Sequence, residues 1–504
     1  MQNSKTELLK EAKVKMRTKF SSPCKMQNLR KKYPKFVYEK YSYKISNNDL
    51  EIFFDFKIEP GICFKPKITI QNIPKNLSIS DINKFDNLVF NLGLMEIPSY
   101  WKAICSPKIE ILAGPLSEDQ INWWKDLIFK GMGQFFYENK IDFRNPNFLK
   151  ISLNRSTNST IVEIIDRNSR ERILVPIGGG KDSVVTLEIL KKTKKEFSAF
   201  SLNPSEAAKK IMKIAGCKKP IVVRRKIDEK LLELNRKGFL NGHTPFSAYL
   251  AFLSVLVAAI FGQKYIAFSN ERSSNEGNVK YLGKIINHQW SKSFDFEEKF
   301  RNYSKKYLTP EVDYFSFLRP LYEIQIAKLF SKYPKYFSAF LSCNVAYQTA
   351  SGTKKPTNPV QIASRLYGAR KWCGCCPKCL FVFTALYPFV EENELLKIFA
   401  KNLFQDKKLL PVMLELIGVG SPRKFKPFEC IGTKKESLIA FYLSYKKCRE
   451  HFSAYRLPVL LKYFAEKILP KYRNLEKESE KILNSWNNQH NLPKELERIL
   501  RKTR

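Results

Sequence analysis

The stretch Ile173–Lys192, ILVPIGGGKDSVVTLEILKK, decides the fold. ILVPI (173–177) is a short continuous apolar run, the pattern of a parallel strand buried on both faces. Three glycines and Lys-Asp-Ser follow, and VVTLEILKK (184–192) then reads as helix. The same alternation continues outward. FSAFSL (197–202) predicts a strand, SEAAKKIMKIAG (205–216) a helix, and IVVRR (221–225) and YIAFSN (265–270) two further strands. This β-α-β-α rhythm predicts an α/β fold with a doubly wound parallel sheet. The longest apolar run, FSAYLAFLSVLVAAIFG (246–262), falls short of the ~20 residues a bilayer span needs. A strand-like segment follows it at once, so a buried helix on the sheet is expected, with no membrane span.

Upstream, FVYEKYSYKI, LEIFFDFKI and FKPKITIQNI (residues 36–75) predict antiparallel strands, because polar and apolar residues alternate and turn residues separate them. Residues 77–145 mix helix and loop. Three domains are expected: an N-terminal α+β domain (1–150) that begins with a mobile Lys-rich arm (1–35), an α/β domain with a cysteine knuckle (151–389), and a helical C-terminal region (390–504). A chain of 504 residues that is 44% hydrophobic and 27% charged excludes disordered, collagen-like and coiled-coil classes. The net charge of +40 (88 basic against 48 acidic residues) suits anionic ligands. It is spread along the whole chain, mostly as Lys, and does not by itself identify a partner. The start of the chain lacks a signal-peptide pattern. Four of eleven cysteines crowd into 373–379, which predicts metal chemistry in a reducing cytosol.

The glycine loop has a direct physical use. Gly178, Gly179 and Gly180 let backbone approach a phosphate closely and reach positive φ. The free N–H groups at the start of the following helix point at an anion. Lys181 adds charge, Asp182 supplies oxygen for Mg²⁺, and Ser183 can donate to a phosphate oxygen. The spacing is too short for the G-x-x-x-x-G-K-[ST] loop and does not fit G-x-G-x-x-G. Cys373, Cys376 and Cys379 form C-x₂-C-x₂-C, three ligands for a structural zinc. Cys343 is the natural fourth, with Cys375 as the alternative. NGHTP (241–245) precedes the buried helix, and SNERSSNEGN (269–278) follows a strand. Ligands of open α/β sheets bind beyond the carboxyl ends of strands, which puts that polar run beside the glycine loop. HQWSKSFDFE (288–297) contributes Lys292, and RPLYEIQIAKLF (319–330) contributes Arg319 and Glu323.

GGGKDS resembles the SGGxDS pyrophosphate loop of the PP-loop ATP pyrophosphatases, with Gly178 in place of the usual Ser. That resemblance implies a PP-loop (HUP-like) nucleotide domain. The cysteine arrangement is similar to that of the deazaguanine synthase branch of those families. Taken in order, GGGKDS, NGHTP, SNERSSNEGN, HQWSKSFDFE, RPLYE and WCGCCPKC resemble one family over residues 36–390. It is the ATP-dependent UDP-N-acetylmuramoyl-L-alanyl-L-glutamate epimerases of peptidoglycan synthesis, MurL. Cys375 departs from the pattern. The resemblance implies that the terminal L-Glu of UDP-MurNAc-L-Ala-L-Glu becomes D-Glu through an acyl-adenylate, with ATP split to AMP and pyrophosphate.

It further implies that Gly178, Gly179, Gly180, Lys181, Asp182 and Ser183 hold pyrophosphate and Mg²⁺. Asn270, Glu271, Arg272 and Asn275 would line the site. Lys292 and Arg319 would neutralise a substrate carboxylate or diphosphate. His243 is the first choice for proton transfer and Glu271 the second. The base, its one-base or two-base route and the oligomeric state stay open. The competing reading is a PP-loop enzyme that adenylates RNA. The charge favours it, but no RNA-binding module is recognisable, so nucleic acid is not expected as a partner.

Overall fold

Alternation sets the first strands. In LEIFFDFKI, Leu50, Ile52, Phe54, Phe56 and Ile58 are buried while the residues between them are partly exposed, the period of two that one buried sheet face requires. The computed structural model describes residues 23–75, 77–153, 170–347, 372–419, 426–451 and 457–504. The first 22 residues of the expected N-terminal arm lie outside them. Of its remaining residues, Pro23–Lys32 form a helix, and Arg30 donates to the carbonyls of Cys105 and Phe148.

Thirteen strands occur among the described residues: β1 (Lys35–Ser46), β2 (Asp49–Ile58), β3 (Ile62–Phe64), β4 (Lys67–Ile70), β5 (Lys108–Ile111), β6 (Lys150–Leu153), β7 (Arg170–Pro176), β8 (Phe197–Leu202), β9 (Ile221–Lys226), β10 (Gln263–Glu271), β11 (Val279–Tyr281), β12 (Lys284–Ile286) and β13 (Asp313–Leu318). Eleven of them form one sheet in the order β13-β10-β7-β8-β9-β4-β2-β1-β5-β6, with β3 on β2; β11 and β12 make a separate hairpin. The five strands from β13 to β9 are mutually parallel. Renumbered by chain order, they run 3-2-1-4-5 from β9 to β13, the doubly wound order expected from sequence. β4 then pairs antiparallel with β9, so the strands of the expected N-terminal domain continue the same sheet.

The parallel strands feed two cores from alternate residues. Leu174, Ile266 and Tyr314 point into one, and Ile173, Val175, Ala267 and Phe315 into the other. The first core holds helix α1 (Asp86–Trp101) and helix α3 (Phe246–Phe261). The second holds α2 (Lys181–Leu190), α4 (Glu323–Phe330) and α5 (Pro377–Leu386). The long apolar run is thus a buried 16-residue helix, ended by Gly262 at φ 65°. No described helix is long and apolar enough to cross a membrane. Residues 392–503 supply further helices, among them α6 (Lys434–His451), as expected.

One buried ion pair joins the two parts of the sheet. Arg225 on β9 donates through Nε and Nη2 to both carboxylate oxygens of Glu96 on α1 (2.7 and 2.5 Å) and packs its guanidinium 4.5 Å from the ring of Tyr249 on α3. Removing one member of such a pair strands the other charge in the interior. Glu96→Ala is therefore expected to cost ~3–5 kcal/mol of stability. Urea unfolding checks this, and a loss no larger than that of a surface Glu→Ala substitution contradicts it.

Candidate functional site

Strands β7 and β10 are neighbours whose connections leave to opposite faces of the sheet, so a crevice opens at their carboxyl ends. Three loops meet there. Gly178–Gly180 follow β7, Arg272–Asn275 follow β10, and Arg319–Tyr322 follow β13. Each brings a carboxylate. Asp182 stands in the first turn of α2, Glu271 ends β10, and Glu323 opens α4. Oxygens of these three side chains lie within 4.8 Å of one another. No spacing in the sequence joins them; the strand order does.

The glycine loop is built for close approach. Gly179 has φ +100°, and a Cβ there would sit 3.0–3.1 Å from Ala208 N, Ala207 Cβ and Ser205 Oγ. A Cβ on Gly178 would meet nothing within 4 Å. Gly180 caps α2 with no side-chain hydrogen bond, which leaves the first N–H groups of that helix for an anion. Ser183 Oγ donates to the Gly180 carbonyl (2.9 Å).

Buried lysines surround the carboxylates. Lys181 bridges Asp182 and Glu323, and Lys378 Nζ lies 3.7 Å from Glu323 Oε1. Lys292 Nζ donates to Cys430 Sγ (3.3 Å), and Lys426 is 1% exposed with no hydrogen-bond acceptor for its Nζ. Burial pushes the Glu271 carboxyl up to about 7, and the neighbouring Glu323 carboxylate adds to it, against the pull of Lys292. Burial opposes ionisation of Glu323 too, but there Lys181 and Lys378 win and hold its carboxyl down at about 2. One of two adjacent carboxyls is thus kept ionised and the other near its proton-exchange point.

A second layer is imidazole. The rings of His243 and His288 are 4.6 Å apart between centroids. Burial, then the charges of Lys292, Lys426 and Lys378, push His288 down to about 3. Burial and the neighbouring His288 drive His243 well below its ordinary value. Both rings are neutral at pH 7. His288 Nε2 lies 3.8 Å from Cys430 Sγ, and His243 sits behind it.

The cysteines converge separately. Cys343, Cys373, Cys376 and Cys379 bring their sulfurs together, with Cys373–Cys379 and Cys376–Cys379 at 3.5 Å and Cys343–Cys376 at 3.9 Å. A tetrahedron of ~2.3 Å zinc–sulfur bonds separates its sulfurs by ~3.8 Å, so this set fits the ion. Cys375 contacts Cys373 (3.5 Å) but stands outside the four. The adjacent Lys378 carries the knuckle's position to the site, because it touches Glu323 and the Cys430 carbonyl.

The MurL N-terminal domain profile matches residues 27–317 and the MurL C-terminal domain profile matches residues 339–462. The chain belongs to the MurL family. Three similar proteins carry the name UDP-N-acetyl-alpha-D-muramoyl-L-alanyl-L-glutamate epimerase. That of Micromonospora sp. is 33% identical over 345 residues (68% of this chain, 72% of the relative). That of Salinispora tropica is 30% identical over 412 residues (81% and 84%), and that of Xanthomonas oryzae pv. oryzae 31% over 353 residues (69% and 72%). No solved structure matches the chain.

Several expected residues of this MurL chain sit differently from the sequence reading. Arg319 was expected to face substrate, but it is fully buried and the protein uses its guanidinium. It donates to Glu297 Oε2 (3.1 and 3.2 Å), Ser274 Oγ (3.0 Å), Ser316 Oγ (3.1 Å) and the carbonyls of Glu271 (2.6 Å) and Lys292. Asn270 is buried and donates to Ser316 Oγ (3.1 Å). Asn275 is exposed and accepts from Phe294 N (2.8 Å), and Arg272 lies over the Tyr322 ring (4.4 Å). Glu323, Lys378, Lys426, His288 and Cys430 complete the cluster. Lys378 lay inside the cysteine motif, and Cys430 lay in FEC within a region read only as helical.

The ionisation of Glu271 has a stability consequence. Its folded value stands above the unfolded 4.5, so the native chain keeps a proton that the unfolded chain has lost. Stability is full below about pH 4.5 and is lost as pH rises through about 7. Glu271→Gln removes that titration and should gain on the parent protein by ~1–3 kcal/mol between about pH 5 and about pH 8. Urea unfolding of both proteins at the two pH values checks it, and an equal difference at both contradicts it.

Proposed function

We propose that this MurL-family chain epimerises the terminal L-Glu of UDP-MurNAc-L-Ala-L-Glu to D-Glu, with ATP cleaved to AMP and pyrophosphate through an acyl-adenylate, in peptidoglycan precursor synthesis. Both substrates are nucleotides of the cytoplasm, where we place the reaction. The observation that carries the reading is the meeting of an uncapped glycine loop, three carboxylates, three buried lysines and the half-buried Lys292 at one crevice of a doubly wound sheet.

The chemistry asks for those groups. Removing a proton beside a carboxylate builds a second negative charge on the same few atoms. Adenylation removes the first charge and supplies an electron sink, so the α-hydrogen becomes acidic. Gly178–Gly180 and the N–H groups of α2 hold the outer phosphates, in the manner of a PP-loop, with Lys181 and Ser183 beside them. Asp182, Glu271 and Glu323 present the hard oxygen donors that Mg²⁺ takes. Bound there, the ion would neutralise phosphate charge, in competition with Lys181 for the same carboxylates. Lys292 and Lys426 are the cations that would stabilise an enolate oxyanion. Arg319 acts through the loops it ties and not by touching substrate. The four sulfurs fit a structural zinc that fixes Lys378.

The test is pyrophosphate release and α-deuterium incorporation in heavy water. Both are expected only with ATP and the UDP-linked dipeptide together. Release driven by tRNA instead would assign the chain to RNA adenylation. Asp182→Ala and Glu323→Gln are expected to lower pyrophosphate release by ~100-fold or more; near-normal release removes the metal role. Cys376→Ser is expected to lose bound zinc and thermal stability, measured by atomic absorption and melting. Full zinc retention contradicts the closed cysteine site.

A further inference from the structure

Cys430 stands apart from the sulfur cluster and inside the crevice. It is partly exposed, as are the neighbouring His288 and Lys292, while Lys378 and Ile431 beside it are buried. Lys292 Nζ donates to its sulfur (3.3 Å), His288 Nε2 lies 3.8 Å from the same atom, and Lys378 donates to its carbonyl. Lys378 also reaches Glu323, so one side chain fixes Cys430 relative to the carboxylates. His288 is oriented in turn by Gln134, whose Oε1 meets Nδ1. A partly exposed sulfur between an ammonium and a neutral imidazole is the setting in which cysteines do proton and covalent chemistry.

A second feature points to a ligand at this spot. Lys426 is 1% exposed, its Nζ has no hydrogen-bond acceptor, and the nearest carboxylate oxygen, Glu276 Oε1, is 3.8 Å away. A buried ammonium with donors to spare is costly unless an anion meets it. Asn278 ties Lys426 to the same cluster: its Nδ2 donates to the Lys426 carbonyl (3.2 Å) while its Oδ1 accepts from His288 N (2.7 Å). An acyl oxygen that becomes an oxyanion needs a cation beside it, and Lys292 stands at the Cys430 sulfur.

We propose that Cys430 is the group that exchanges the α-hydrogen of the bound glutamyl residue, with its sulfur facing one side of the α-carbon. The inference rests on the function proposed above and names a residue for its central step. As thiolate, Sγ forms an S–H bond while the Cα–H bond breaks, and that electron pair moves into the activated acyl group as an enolate. A water-derived proton then adds to Cα from the opposite face, and the enolate pair forms the new C–H bond. Cys430 passes the proton it gained to solvent, so the proton count of the protein is unchanged over a turnover. In the reverse direction the thiol delivers its proton and the opposite side removes one. His243, the sequence's first choice for proton transfer, packs on His288 with ring centroids 4.6 Å apart, and it is His288 that lies beside this sulfur.

The experiment compares the full-length protein with Cys430→Ser and Cys430→Ala, using ATP and UDP-MurNAc-L-Ala-L-Glu in heavy water. Deuterium at the glutamate α-position and pyrophosphate are measured in the same samples, and circular dichroism and zinc content verify folding. Both variants are expected to lose α-exchange by on the order of 100-fold or more while dipeptide-dependent pyrophosphate release stays measurable. Parent-like α-exchange in folded Cys430→Ala overturns this assignment alone. Parent protein that exchanges no α-hydrogen overturns the proposed function and this assignment with it. If Cys430→Ala does not fold, Cys430→Ser decides by the same two readings.

Discussion

A single guanidinium holds the wall of the crevice in place. Arg319 is fully buried, and its donors are distributed over Glu297, Ser274, Ser316 and the carbonyls of Glu271 and Lys292. Those partners come from the end of β10, the turn after it, the loop that carries Lys292, the helix after that loop, and β13. None of them is close to Arg319 in sequence except Ser316. A planar fork that serves two carbonyls, two hydroxyls and a carboxylate at once fixes their relative orientation, which the single ammonium of lysine would not do. By holding the carbonyls of Glu271 and Lys292, Arg319 anchors the backbones that present Glu271 to Asp182 and Glu323 and Lys292 to Cys430.

Packing opposite charges this densely has an electrostatic logic. Asp182, Glu271 and Glu323 would repel one another in isolation, and Lys181, Lys292, Lys378 and Lys426 would as well. Interleaved, each set lowers the cost of burying the other. The balance is incomplete, since Glu271 sits near 7 and Lys426 has no acceptor. Residual imbalance of that kind concentrates at functional sites, where ligands supply what the protein withholds.

Much of this was legible in the chain. ILVPI, FSAFSL, IVVRR and YIAFSN were visible as strands because buried parallel strands are short apolar runs. The glycine loop was visible because its geometry demands glycine. Its neighbour SNERSSNEGN was placed correctly by the rule that ligands sit beyond strand ends. The edge strand β13, Asp313–Leu318, and the junction of β4 with β9 were not visible, since pairing partners far apart in sequence leave no local periodicity. Arg319 looked like a ligand contact because sequence gives its charge and not its surroundings. Cys430 was passed over for the opposite reason. A lone sulfur beside no motif has no spacing to read, and its meaning comes from Lys292 and His288, 138 and 142 positions away.

The antiparallel junction of β4 with β9 also governs solubility. A parallel sheet that ended at β9 would present a bare row of backbone N–H and C=O groups, the template on which chains pair indiscriminately. Here β4 occupies that row, and the meander of β2 and β1 carries the sheet onward to a distant, short border strand. The amino-terminal strands thus act as a sheath for the parallel half. A parallel half cut free of them would meet other copies of itself through β9 before it met any ligand.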